Sequence, residues 1–205
     1  KASEDSKLPL EIDFQPDVSS KKSKGFHRPM PAEVFTKSKI EGEKPSKIYL
    51  LVNPYSGKKK GIKIAEEAKQ LFENSGINVE IYTSKHSNHL VEIANSLEVQ
   101  SNEAIVVVGG DGSLSETITG WMLKSKDNSN IRFGLIPAGT GNSQANDLQI
   151  MSTEDAVSRI IEGNSQYIDL ARVELTEGLP GNTKGKITRF SHNLVTWGLG
   201  VDSTI

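Results

Sequence analysis

The sequence predicts an α/β chain built on a parallel sheet, followed by the opening strands of an antiparallel β-rich unit. Three observations predict this. Between residues 46 and 165, short apolar runs alternate with segments whose apolar residues recur at helical spacing. The runs at 48–52 and 104–108 are apolar without a break, as in strands buried on both faces of a parallel sheet. After Tyr167 the helical period disappears and two strand-like runs follow directly on one another.

Residues 1–45 are rich in Ser, Lys, Glu and Pro and hold no sustained period, so they are expected to be a linker or tail. The first strand is expected at 48–52. A helix with Ala65, Ala68, Leu71 and Phe72 on one face follows, stopped by Asn74-Ser75-Gly76. Residues 79–82 give the second strand, and Leu90, Ile93, Ala94 and Leu97 the second helix. The third strand at 104–108 leads to a helix carrying Leu114, Ile118, Trp121 and Met122, with the last two read as core residues. A fourth strand at 131–136 and a helix with Ala156, Val157, Ile160 and Ile161 complete the unit at about residue 165. Alternation of this length implies parallel strands joined by right-handed crossovers. Residues 166–205 begin the second unit, with strands at 168–175 and 187–197 joined through Gly178-Leu179-Pro180-Gly181-Asn182.

Composition sets limits on function. The net charge of -2 and the pI of about 6.1 give no general electrostatic reason to bind nucleic acid or an anionic membrane. The absence of cysteine removes disulfides and thiolate zinc sites, which suits an intracellular protein. No apolar run approaches the roughly 18–20 residues that span a bilayer. A start without Met and an end just past an apolar strand pattern suggest a piece of a longer protein.

Three polar, glycine-containing loops fall at strand C-termini, where an open parallel sheet binds its ligands. The first runs Asn53-Pro54-Tyr55-Ser56-Gly57-Lys58-Lys59-Lys60-Gly61 and lacks the Walker A spacing. Its three lysines read as a solvated turn. The second is Gly109-Gly110-Asp111-Gly112-Ser113, placed between a strand and a helix. There glycines allow close backbone approach to a phosphate, and the helix start offers unpaired N–H groups. Asp111 is a carboxylate where an anion is expected, which suits metal binding or proton transfer; the plainer alternative is a helix cap beside Ser113 and Glu116. The third loop is Pro137-Ala138-Gly139-Thr140-Gly141-Asn142-Ser143. The histidines read as follows: His27 lies in the tail, His86 and His89 follow Thr83, and His192 lies in a strand. No pair of them has metal-ligand spacing with a carboxylate partner, so no zinc or iron site is expected.

Taken in order, Asn53-Pro54-x-Ser56-Gly57, Gly109-Gly110-Asp111-Gly112-Ser113-x-x-Glu116 and Pro137-Ala138-Gly139-Thr140-Gly141-Asn142 resemble the diacylglycerol kinase catalytic-domain family, which includes sphingosine and ceramide kinases. The resemblance runs from about Lys47 to Ile205 and includes Ile168-Asp169-Leu170-Ala171. It implies a phosphofructokinase-like domain that binds ATP and Mg²⁺, and a β-rich domain that takes a lipid. By the same resemblance Asn53, Ser56, Gly57 and Thr83 contact the nucleotide from the first two strand ends. Gly109, Gly110, Gly112 and Ser113 line the phosphates, Gly139, Thr140, Gly141 and Asn142 complete the site, and Asp111 is the general base. Ser113 stands where many members have Thr and keeps the hydroxyl. Gly109 stands where several sphingosine kinases have Ser.

Trp197-Gly198-Leu199-Gly200-Val201-Asp202 resembles the sphingosine kinase segment whose aspartate meets the sphingoid head group. A carboxylate at Asp202 suits the protonated amine of a long-chain base, which diacylglycerol lacks. The resemblance thus implies a sphingoid-base kinase, with diacylglycerol or ceramide kinase as the alternative. NAD kinases share a Gly-Gly-Asp-Gly loop, and a non-catalytic nucleotide-binding module is the remaining class. The implied setting is cytoplasmic, with transient peripheral contact at membrane surfaces. Residues 1–205 alone are expected to be inactive, and neither oligomeric state nor nucleic-acid binding is indicated.

Overall fold

The computed structural model describes residues 39–124, 131–176 and 186–193. Four strands form a parallel sheet: β2 (Lys47–Val52), β3 (Asn78–Thr83), β4 (Glu103–Gly109) and β5 (Arg132–Pro137), in the order β3-β2-β4-β5. Along β2, Ile48, Leu50 and Val52 face one side of the sheet, and Tyr49 and Leu51 the other. All five are buried, so the unbroken apolar run reflects burial on both faces.

Helix α1 (Gly61–Asn74) lays Ala65, Ala68 and Phe72 on the first face, where Ala156 and Val157 of α5 (Thr153–Glu162) join them. Helix α1 ends in a Schellman arrangement. Gly76, at φ 76°, donates to Glu73 O at 2.9 Å, Ile77 donates to Phe72 O at 3.1 Å, and both apolar residues are buried. The opposite face is covered by α2 (His89–Ser96) and α3 (Asp111–Lys124), through Leu90, Ile93, Ala94 and Trp121. These two helices meet at Gly120, where a methyl group would lie 2.2 Å from Val91 O. The result is the expected α/β arrangement on a parallel sheet, with helices on both faces.

Boundaries moved by a few residues. The expected strands at 168–175 and 187–197 appear as β7 (Ala171–Thr176) and β8 (Lys186–Ser191), paired antiparallel with Ala171 opposite Ser191. The loop expected at 178–182 and the segment beyond residue 193, Asp202 included, lie outside the described residues. Several short elements were not expected. Lys39–Ile40 (β1), placed in the tail by composition, pairs with Ser165–Gln166 (β6), and α4 (Ser143–Asp147) follows the third glycine loop. The rest of the tail, residues 1–38, lies outside the described residues. Among the described residues no helix is long and apolar enough to cross a membrane.

Candidate active site

The strand order fixes where the loops converge. The chain leaves β2 for β3 on one side and returns past β2 to form β4 on the other. The gap between the C-terminal ends of β2 and β4 is therefore the switch point of the sheet, where such sheets bind ligands. The four strands end at one level, with Val52 opposite both Thr83 and Val108, and Val108 opposite Ile136. Sheet hydrogen bonding carries one residue further: Asn53 N–H donates to Val108 O at 3.1 Å and Ala138 N–H to Gly109 O at 2.8 Å. The three loops thus leave the sheet side by side.

They also touch one another. Asn53 Nδ2 donates to Ser113 Oγ at 3.2 Å, joining the first loop to the second. Asn53 Oδ1 accepts from Tyr55 N–H at 3.0 Å, which fixes the amide's orientation. Gly57, at φ 58°, packs so closely on the third loop that a methyl group would lie 2.7 Å from Ala138 O. Lys58 and Lys59 continue in the left-handed region at φ 60° and 70°, a conformation costing about 1–2 kcal/mol for each non-glycine residue. All three lysines of this turn are exposed, as expected. Gly110 and Gly139 meet backbone to backbone, and above Gly112 there is open space.

Asp111 is the first residue of α3, yet its side chain does not cap its own helix. Oδ2 accepts Ser143 N–H at 2.9 Å and Oδ1 accepts Gln144 N–H at 2.8 Å. The carboxylate satisfies two free donors at the start of α4 and ties the second loop to the third. Each oxygen keeps a lone pair for a further partner. Asn142, at φ 51°, closes the third loop on itself: Oδ1 accepts Gly139 N–H at 2.8 Å and Nδ2 donates to Gly139 O at 2.9 Å. Thr140 and Gly141 are exposed at the loop's tip.

The structure therefore brings Asn53, Gly57, Gly110, Asp111, Ser113, Gly139 and Asn142 into one cluster. Gly109 lies beneath it, because a methyl group there would lie 2.5 Å from Ser113 Cβ. Ser56 is buried at the base of the first loop, donating its N–H to Asn53 O at 3.2 Å. Thr83 ends the outer strand β3, half-buried, with β2 between it and the ends of β4 and β5 that carry the Gly110–Gly139 contact. Glu116 points toward the loop before α2, where Oε1 accepts Asn88 N–H at 3.3 Å.

The histidine reading needs one correction. The sequence reading found no histidine pair with a carboxylate partner at metal-ligand spacing, but His86, His89 and Glu92 bring their ligand atoms within 4.8 Å of one another. The cause is Asn88, whose left-handed backbone folds the preceding loop over the first turn of α2. The two rings are stacked at 4.5 Å, and His89 Nδ1 already accepts Lys85 N–H at 2.9 Å, so a neutral His89 carries its proton on Nε2 and has no nitrogen free for an ion.

Sequence reasoning also missed His192 and Gln144. His192 Nδ1 lies 3.0 Å from Gln144 Oε1, and Nε2 lies 3.3 Å from the backbone oxygen of Asp111.

The family described as diacylglycerol kinase catalytic domain matches residues 47–173. The chain is 34% identical to sphingosine kinase 1 of Arabidopsis thaliana over 79% of its own length and 33% of that protein's. It is also 34% identical to sphingosine kinase B of Dictyostelium discoideum, over 64% of this chain and 18% of that one. To ceramide kinase of Mus musculus it is 30% identical, over 63% and 28% respectively. The chain thus spans about a third of the length of the two Arabidopsis sphingosine kinases it matches. The matched residues hold all three loops, Asp111 and the sheet that carries them, and the chain belongs to the diacylglycerol kinase catalytic domain family.

Proposed function

We propose that this chain supplies the nucleotide-phosphate site and general base of a lipid kinase that transfers the γ-phosphate of ATP to a lipid hydroxyl. The acceptor we favour is the primary hydroxyl of a sphingoid long-chain base. One observation carries the reading: the switch point gathers three glycine loops around a carboxylate held by two backbone N–H groups. Close-packed glycine backbone with open space at Gly112 suits a polyphosphate, and the carboxylate has capacity left for a metal ion or a hydroxyl.

In this mechanism Gly110, Gly112 and Gly139 line the phosphates, with Asn53 and Ser113 holding the first two loops in register. Ser56, Gly57, Thr83, Gly109, Thr140, Gly141 and Asn142 complete the nucleotide site. Asp111 would help hold Mg²⁺ bound with ATP, and the ion would supply neutralisation of charge on the transferring phosphoryl group. Asp111 takes the proton of the lipid hydroxyl as that oxygen bonds to the γ-phosphorus. The bond from phosphorus to the β,γ-bridging oxygen breaks, and ADP leaves. Asp202, outside the described residues, would pair with the amine of the base. The names of the relatives favour sphingosine over ceramide and diacylglycerol, since the sphingosine kinases are the more similar. Contact with a membrane surface would be transient and peripheral, and residues 1–205 alone would be inactive.

The test offers ATP with sphingosine, ceramide, diacylglycerol and NAD to the protein that carries this chain. Sphingosine turnover supports the full reading. Turnover of ceramide or diacylglycerol keeps the mechanism and removes the role of Asp202. Turnover of NAD alone, or of nothing, overturns lipid kinase.

A further inference from the structure

Asp111, Gln144 and His192 form a closed ring of contacts. Gln144 N–H donates to Asp111 Oδ1 at 2.8 Å, the Gln144 side chain meets His192 Nδ1 at 3.0 Å, and His192 Nε2 meets Asp111 O at 3.3 Å. The three residues come from three separate elements: the start of α3, the short helix α4, and the chain just past β8. Gln144 is only 8% exposed, so its side chain is held inside this contact.

The hairpin that delivers His192 is itself seated on α3. Ser115 Oγ donates to Phe190 O at 2.9 Å, and Phe190 N–H donates to Thr119 Oγ1 at 3.0 Å, with Thr119 fully buried. Phe190 adds an apolar contact with the cluster of Leu114 and Ile118. His192, two residues on, arrives at the Asp111 loop in a fixed register. A neutral imidazole satisfies both of its contacts when the Gln144 amide is turned so that its NH₂ donates to Nδ1, leaving Nε2–H for Asp111 O.

We infer that His192 is a positioning residue that locks the β7–β8 hairpin, the first described element of the second unit, to the Asp111 loop. It carries the placement of that unit to the carboxylate through Gln144 and through the backbone of Asp111 itself. The inference rests on the proposed role of Asp111. It predicts that loss of the ring disturbs alignment of the base more than binding of ATP.

The test compares His192→Ala, His192→Gln and His192→Asn in the protein that carries this chain. A glutamine amide reaches the place of Nε2 and keeps the Asp111 contact, whereas asparagine reaches only the place of Nδ1. Expected is a fall in kcat of about 10–100-fold for His192→Ala, the scale of a small misplacement of a catalytic group, with KM for ATP within about twofold. His192→Gln recovers most of the loss and His192→Asn less. Unchanged kcat in His192→Ala, or equal loss in all three variants, overturns the inference. A readout independent of turnover is the ¹⁵N shift of the His192 ring. Gln144→Ala should move the Nδ1 resonance, and an unmoved resonance overturns the lock even if the protein phosphorylates no lipid. Absence of lipid turnover with a responsive Nδ1 overturns the proposed function alone.

Discussion

Gly110 and Gly139 touch backbone to backbone: a methyl group on Gly139 would lie 2.6 Å from the Cα of Gly110 and 3.1 Å from its nitrogen. A side chain at Gly139 would force the second and third loops apart, and one at Gly110, 3.1 Å from Gly139 Cα, would crowd them. Gly139→Ala should push the loops apart, destabilising the fold by about 1–3 kcal/mol as overpacking does. It should also raise the Kd for ATP. Thermal melts and nucleotide titration check both, and an unchanged Kd would mean that the contact does not shape the site.

Gly120 offers a contrast away from the loops. Its missing side chain lets α2 and α3 approach, with Val91 O 2.2 Å from where a methyl group would sit. Asn95 Nδ2 also donates to Gly120 O at 3.1 Å across the same seam. Gly120→Ala should cost about 1–3 kcal/mol of stability while leaving ATP affinity nearly unchanged in the folded fraction. Chemical denaturation paired with nucleotide titration measures both quantities.

Asn53 joins the first two loops with a single amide, accepting from Tyr55 N–H and donating to Ser113 Oγ. Asn53→Ala should lose about 0.5–1.5 kcal/mol per bond and weaken ATP binding more than Ser113→Ala, which removes one bond of the two. Equal effects of the two substitutions would show that the Tyr55 contact contributes nothing.

Asp155 predicts an acid sensitivity remote from the site. The Arg159 side chain, and after it the backbone N–H of Met151, hold the Asp155 carboxyl below its ordinary value of 3.8. Because the unfolded chain takes up the proton first as pH falls, this contribution is present above about pH 4 and is lost as pH drops through the folded-state value. Asp155→Asn should therefore be less stable than the parent near neutrality, and the difference should shrink in strong acid. A difference that does not change with pH would contradict the assignment.

The fold was legible where burial on both faces left an unbroken apolar run, as in β2 and β4, and where helices carried a clear apolar face, as in α1 and α5. The three loops were legible because glycine, Asn and Asp at strand ends have few other uses in such an order. Helix α4 was not legible. It has five residues and no apolar period, and its start is capped by Asp111 from 32 positions away in the chain. The same holds for His192, whose partner Asp111 is 81 positions distant. A contact of that span leaves no local signal. The pairing of Lys39–Ile40 with Ser165–Gln166 was hidden likewise, since two-residue strands carry no alternation to read.

The central claim is that Asp111 acts as the base in a phosphate site assembled from the three loops. The most direct measurement is single-turnover transfer from ATP labelled at the γ-phosphate to sphingosine, with Kd for ATP measured alongside, in the parent protein and in Asp111→Ala and Asp111→Asn. Asparagine turns an N–H toward one of the two donors that the carboxylate now accepts, so both substitutions disturb the loop as well as the base. The account predicts a loss of transfer of about 10²–10⁴-fold in both, with ATP still bound. Transfer that persists within a few-fold in either variant would contradict it.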